Sequence, residues 1–272
     1  MFKNKERYKM KFFFDTADIN YLENLWPKIK DFVDSNHIAG VTTNPNAFNK
    51  INANNINEWE ENTLKLCQFV SKIRNDNKGV VYVQVPNSNM RSEEIIDWAN
   101  KIINWSDGNT KIGMKIAPFK EMLELNDKLR SKIELNVTGT ADCSTALLAL
   151  SYGVRYVSII PGRMEEKGID AKKQIAFINQ RKPSSSQIIT GSMRTLEGLK
   201  WAFEYDTVPT IGTRVWDLII NEGHEREFIR SPIKLDEIKF SPLISENMTN
   251  LSEDFFNQMN ILGSKVYEEF KK

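Results

Sequence analysis

A chain of 272 residues is long for an ordinary domain and normal for one α/β barrel. With 37 Lys plus Arg against 36 Asp plus Glu, its formal net charge is +1, so no overall field recruits nucleic acid or an anionic membrane, while local positive charge remains free to serve a small anion. Residues that are 40% hydrophobic and 27% charged make a globular protein with a sizeable core, and two cysteines, Cys67 and Cys143, without metal-ligand spacing point to a reducing cytoplasm rather than a secreted disulfide framework. No apolar h-region follows the N-terminal MFKNKERYKM, and no apolar run reaches membrane-spanning length, so neither a signal peptide nor a transmembrane helix is expected.

Short β-rich runs alternate with longer helical segments along the whole chain. KFFFD (11–15) predicts the first strand, followed by a helical segment over Ala17–Ser35 and a second strand at GVTTN (40–44). A helix over Ile56–Arg74 leads to VVYVQV (80–85), and a helix over Arg91–Trp105 leads to IGMKIA (112–117). IELNVTG (133–139) is the fifth strand, and TADCS then offers Thr140 and Asp142 as starts for a helix over Ala141–Leu150. RYVSII (155–160), SQIITGS (186–192) and TVPTIG (207–212) complete eight strands. Several are apolar on consecutive residues, as expected where both faces of a parallel sheet are covered.

Eight strands with helical crossovers predict a (β/α)8 TIM barrel. A doubly wound sheet is the competing architecture, but no GxGxxG or GxxxxGK[ST] loop accompanies the strands. No linker or charge block interrupts the pattern, so residues 1–272 read as a single domain. Residues 223–272 form its C-terminal extension, Pro-interrupted at first and then helical from about Glu253 to Phe270. That helix would cover the barrel or dock on a neighbouring subunit.

Barrel active sites gather at the C-terminal ends of the strands. Those ends carry Asp15, Asn44, Gln84, Lys115, then Asn136 and Thr138, then Ser158 followed by Arg163, and Ser192 followed by Arg194. Taken singly, most have an ordinary reading. Asp15 or Asp18 would cap the first helix, and Asn44–Pro45 is a common turn. Lys115 would snorkel, and Gln84, Thr138 and Ser158 would be satisfied strand-end polar groups. Seven successive strands ending in polar groups at one mouth read as a site. Within it, a lysine between Met114 and Ile116 is suited to Schiff-base chemistry, a nearby carboxylate to proton transfer, and two arginines to a phosphate. The two histidines, His37 and His224, lie away from the mouth and lend no support to a triad or metal centre.

The ordered motifs KFFFDTADI, GVTTNPNAF, VYVQV, GMKIA, LNVTGT, YVSIIPGR and TGSMRT resemble the transaldolase family in its small form, which includes the fructose-6-phosphate aldolases. The resemblance runs from about Met10 to about Val215, and leaves the first nine residues as an extension without a role. It implies that Lys115 forms the Schiff base with a ketose phosphate and that Asp15 is its acid/base. Asn44 and Asn136 would bond the substrate near the imine, and Thr138 with Gln84 would hold a proton-relaying water. Ser158 would contact the dihydroxyacetone portion, with Arg163, Ser192 and Arg194 on the phosphate. Neither metal nor organic cofactor is implied. The implied partners are phosphorylated sugars, without nucleic acid or membrane, and a cytoplasmic homo-oligomer is expected. Two positions depart from the family pattern. Gln84 stands where many transaldolases carry glutamate and the aldolases glutamine; Ile160 stands where relatives have Phe or, in the aldolases, Tyr. The function expected is transfer of a dihydroxyacetone unit between sugar phosphates. The alternatives are a lyase releasing dihydroxyacetone and a non-catalytic barrel that binds sugar phosphates.

Overall fold

The computed structural model describes residues 11–74, 76–118, 122–222 and 246–272, with the side chains of 122–124 and 246–249 excepted. Strands β1 (Phe12–Asp15), β2 (Ile38–Thr42), β3 (Val80–Gln84), β4 (Lys111–Ile116), β5 (Glu134–Thr140), β6 (Tyr156–Ile159), β7 (Gln187–Thr190) and β8 (Val208–Gly212) pair in parallel and in chain order. β1 also pairs with β8, so the sheet closes into the expected (β/α)8 barrel. Among the described residues no helix is long and apolar enough to cross a membrane.

Strand parity decides what the barrel interior contains, because successive side chains point to opposite faces. Phe13, Tyr82, Tyr156, Ile189 and Val208 form a buried interior cluster with Ala39 and Val80. Phe14, Val41, Val81, Met114, Val137 and Val157 belong instead to the large core shared with the surrounding helices. Two residues beyond the interior members Phe13, Tyr82 and Tyr156 stand Asp15, Gln84 and Ser158. Lys115 pairs in register with Gln84 on one side and with Asn136 on the other. The same parity that fills the barrel floor with rings therefore turns this polar set inward at its mouth.

The rings of Phe13, Tyr82 and Tyr156 meet edge to face, with centroids 5.7, 5.8 and 5.9 Å apart. The Tyr82 hydroxyl donates to the Glu134 carboxylate below them. Two cavities of about 710 and 470 Å³ open at the opposite, N-terminal end, where both are lined by Lys111, Glu134 and Arg155. The aromatic layer separates them from Lys115, so these cavities are not entrances to the mouth.

Helix caps settle two ambiguities of the sequence. Asp18, not Asp15, caps helix α1 (Ile19–Ile29) by accepting from Tyr21 N at 3.0 Å, which leaves Asp15 to the mouth. Asn44 caps α2 (Pro45–Lys50) by accepting from Ala47 N at 2.9 Å, with Pro45 in the first helical turn. β2 accordingly stops at Thr42 rather than reaching Asn44. Asp142 caps α6 (Cys143–Ser151) through Thr145 N at 2.7 Å. The first helix ends before Ser35, because Asp34 caps a separate short turn over Ser35–His37.

Between these lie α3 (Ile56–Ile73), α4 (Ser92–Ile102), α5 (Met122–Leu129), α7 (Pro161–Glu166), α8 (Ala171–Arg181), α9 (Leu196–Glu204) and α10 (Thr213–Glu222). The last helix, α11 (Glu246–Phe270), begins well before Glu253, since its buried face already includes Leu251. The Asn and Thr residues ahead of Leu251 are weak helix formers and hide that start in the sequence. α11 packs on the barrel of its own chain: Tyr267 donates to Glu94 at 3.0 Å, the Glu269 carboxylate accepts from Ile56 N at 2.8 Å, and Phe270 meets Trp98 edge to face at 5.3 Å. The expected Pro-interrupted stretch after Glu222 and His224 lie outside the described residues.

Candidate active site

Lys115 sits near the mouth end of β4 and is 5% exposed. Its Nζ donates to the Thr43 carbonyl at 3.0 Å, in the turn that carries β2 into α2. Burial pushes its ammonium below the ordinary lysine value, opposed by the charge of Asp15. Asp15 shows the mirror effect. Burial raises its carboxyl above the usual range, against the charge of Lys115, the Thr42 hydroxyl and the charge of Lys50. Thr42 Oγ1 donates to Asp15 Oδ1 at 3.0 Å and lies 2.6 Å from Thr210 Oγ1 on β8. Desolvation favours the neutral forms of both groups, the form in which the amine is a nucleophile and the carboxyl a proton donor, while their mutual charge opposes it.

The strands on either side of Lys115 present buried polar atoms, Gln84 Oε1 as acceptor and Asn136 Nδ2 as donor, that have no hydrogen-bond partner among the described residues. A buried polar atom without a partner costs about 1–3 kcal/mol, so this pair flanking an amine is suited to a polar ligand. The other end of the Asn136 amide is fixed, because Ser158 Oγ donates to its Oδ1 at 2.8 Å. Thr138 is buried two residues beyond Asn136, where the pairing of β5 with β6 shifts register. Asn44 spends one lone pair of its amide oxygen on the helix cap, which fixes the orientation of the amide at the mouth.

A second cluster forms where the chain leaves β6 and β7. Ser192 adopts a φ of 54°, an uncommon backbone for a residue with a side chain, and a Cβ on Gly162 would lie 2.1 Å from the Ser192 carbonyl oxygen. Only glycine permits that approach, which brings the start of α7 against the loop after β7. Arg163 and Arg194 thereby enter each other's field. Burial and the charge of Arg194 both depress the Arg163 guanidinium, opposed by Glu166 and Asp254. Arg163 Nε is buried without a partner among the described residues, while Arg194 Nε pairs with Glu166 at 3.2 Å. Two mutually repelling guanidiniums, one with an unused donor, suit an anion with several oxygens.

The structure thus joins Asp15, Lys115, Gln84, Asn136 and Ser158 around the mouth, and Arg163, Ser192 and Arg194 beside one another. Strand-end reasoning overlooks Thr42 and Thr210: parity with Val208 would identify Thr210, whereas Thr42 is turned inward past a register shift between β1 and β2 that the sequence does not signal. It also overlooks the Thr43 carbonyl, Glu166 and the side chains of α11.

Comparisons with known proteins bear on the family and the fold. A profile described as "Transaldolase/Fructose-6-phosphate aldolase" matches residues 12–263, and the chain belongs to that family. A "Probable transaldolase" of Methanococcus maripaludis is 28% identical over 208 residues, covering 74% of this chain and 86% of that one. A protein of the same name from Dictyoglomus turgidum is 30% identical over 189 residues, covering 68% and 78%. A solved structure from Aquifex aeolicus VF5 superposes with a TM-score of 0.52 at 10% identity, covering 95% of this chain and 94% of that one, a likeness of fold alone.

Proposed function

We propose that the protein is a transaldolase-type transferase that carries a dihydroxyacetone unit between sugar phosphates on Lys115. The observation that supports this most directly is the buried Lys115 amine, which donates to the Thr43 carbonyl and feels the charge of Asp15. The neutral amine adds to the C2 carbonyl of the ketose, and the hydroxyl leaves as water with a proton given up by the Asp15 carboxyl, which yields a protonated imine and an Asp15 carboxylate. That imine accepts electrons as the C3–C4 bond breaks, while the Asp15 carboxylate takes the proton of the C4 hydroxyl and the aldose phosphate leaves. The remaining enamine attacks an acceptor aldehyde, Asp15 returns its proton, and water releases the new ketose. Thr138 and Gln84 hold that water. Asn44, Asn136 and Ser158 bind the donor, and Arg163, Ser192 and Arg194 take the phosphate. The reading carries a single-domain cytoplasmic enzyme without a metal or organic cofactor.

Gln84 favours a second reading, a lyase that protonates the enamine and frees dihydroxyacetone. A carboxamide positions water without exchanging a proton as a glutamate does. Ile160, 3% exposed and without a hydroxyl, lacks the group that the lyases carry there. Intact mass after incubation with fructose 6-phosphate and borohydride tests both readings. A dihydroxyacetone adduct is expected under either, and free dihydroxyacetone in the medium without an acceptor marks the lyase. No adduct with any ketose phosphate would overturn the imine mechanism.

Arg194→Ala should raise the Michaelis constant for a phosphorylated ketose by about 10-fold or more, the scale of a charge-assisted hydrogen bond. The constant for the unphosphorylated sugar should stay unchanged, and equal effects on both would remove Arg194 from the phosphate site.

A further inference from the structure

α11 presents a set of side chains to Arg163. The Phe255 ring is buried, with its centroid 5.1 Å from the guanidinium carbon. Gln258, exposed and one turn further along, accepts from Arg163 Nη2 at 3.0 Å. Residues three apart share a helix face, so the two act on the guanidinium together. Phe256 seats on the end of β5. Gly139 there has a φ of +72°, and a Cβ on it would fall 2.5 Å from the Phe256 ring. Further along, Asn260 accepts from Ser88 N at 2.7 Å and donates to Ser88 Oγ at 2.9 Å, fixing the helix to the loop after β3. α11 is thus anchored within and just beyond its contact with Arg163.

We propose that α11 positions the anion site: Phe255 and Gln258 hold the Arg163 guanidinium at the mouth and thereby set the affinity for the phosphate end of the substrate. The inference rests on the reading of Arg163 and Arg194 as phosphate ligands. A long arginine side chain loses rotamer freedom when it grips an anion, and a ring and an amide that already hold it remove much of that loss. The chemistry of position 258 matters. A carboxamide oxygen accepts from the guanidinium without neutralising it, whereas a carboxylate would compete with phosphate. Arg194 is in that competing situation, since Glu166 pairs with it.

The test is calorimetric titration of the full chain with inorganic phosphate, comparing wild type, Q258A, Q258E, F255L and R163A, with melting temperatures alongside. The dissociation constant should rise about fivefold in Q258A, the factor of one net hydrogen bond, and further in Q258E. A merely structural contact would be restored by the glutamate, which accepts the same hydrogen bond. Gln258 is exposed, so its variants keep the fold and carry the test even where F255L melts early. Wild-type affinity in both Gln258 variants, with binding lost in R163A, would overturn the role of α11 alone. Unchanged affinity in R163A would overturn the phosphate reading beneath it.

Discussion

Lys115→Met abolishes turnover of sugar phosphates and leaves the barrel folded. The expected loss is about 10⁴-fold or more, because without the imine no electron sink remains for the C3–C4 bond. Methionine, one heavy atom shorter than lysine, keeps an unbranched apolar stem on the inward face of β4. The variant forfeits the hydrogen bond to the Thr43 carbonyl, a penalty of about 1–3 kcal/mol, and is relieved of burying an amine. The two changes oppose each other, so the melting temperature should move little at neutral pH. The pH dependence should move more. Burial holds the folded-state pKa of Lys115 below its unfolded value. Its contribution to stability is therefore fully present above the ordinary lysine value and is lost as pH falls through the depressed one. Urea titrations of wild type and variant across that window should diverge toward lower pH, with the wild type losing more. Undiminished activity in Lys115→Met would rule out the imine, and parallel stability profiles would mean the amine is not desolvated.

Asp15→Asn should lower turnover by about 10² to 10⁴-fold, the range of a positioned acid/base group. It separates imine formation from bond cleavage. Lys115 can still condense with the ketose, so borohydride should trap the whole sugar on the variant and the dihydroxyacetone fragment on the wild type. The sign of the pH effect follows from the shift. Cleavage needs the carboxylate, and burial raises the Asp15 pKa. Wild-type activity should thus fall as pH drops through a value above the usual carboxylate range. Asparagine does not titrate, and that limb should vanish from the variant. A limb that persists in Asp15→Asn belongs to another group, and a fragment adduct on the variant would mean that cleavage does not use Asp15.

Hydrophobic patterning and residue order determined the barrel, the strand mouths and most of the polar set around Lys115, because these depend on local period and on the direction of parallel strands. A lysine with apolar neighbours on both sides is a local fact. The choice between Asp15 and Asp18 as helix cap was not legible, since both precede α1 and either type suits the position. Folding decided it by giving Asp18 the Tyr21 amide. Asn44 carries two compatible signals, and the cap fixes its amide. Other features needed closure of the barrel. Thr42 meets Thr210 across 168 positions of sequence, and Gln258 reaches Arg163 across 95. Local propensity fades within a turn or two of backbone and cannot encode such pairings. They arise when β1 joins β8 and α11 is laid across the strand ends, where burial turns ordinary polar side chains into groups with shifted pKa values and unpaired atoms.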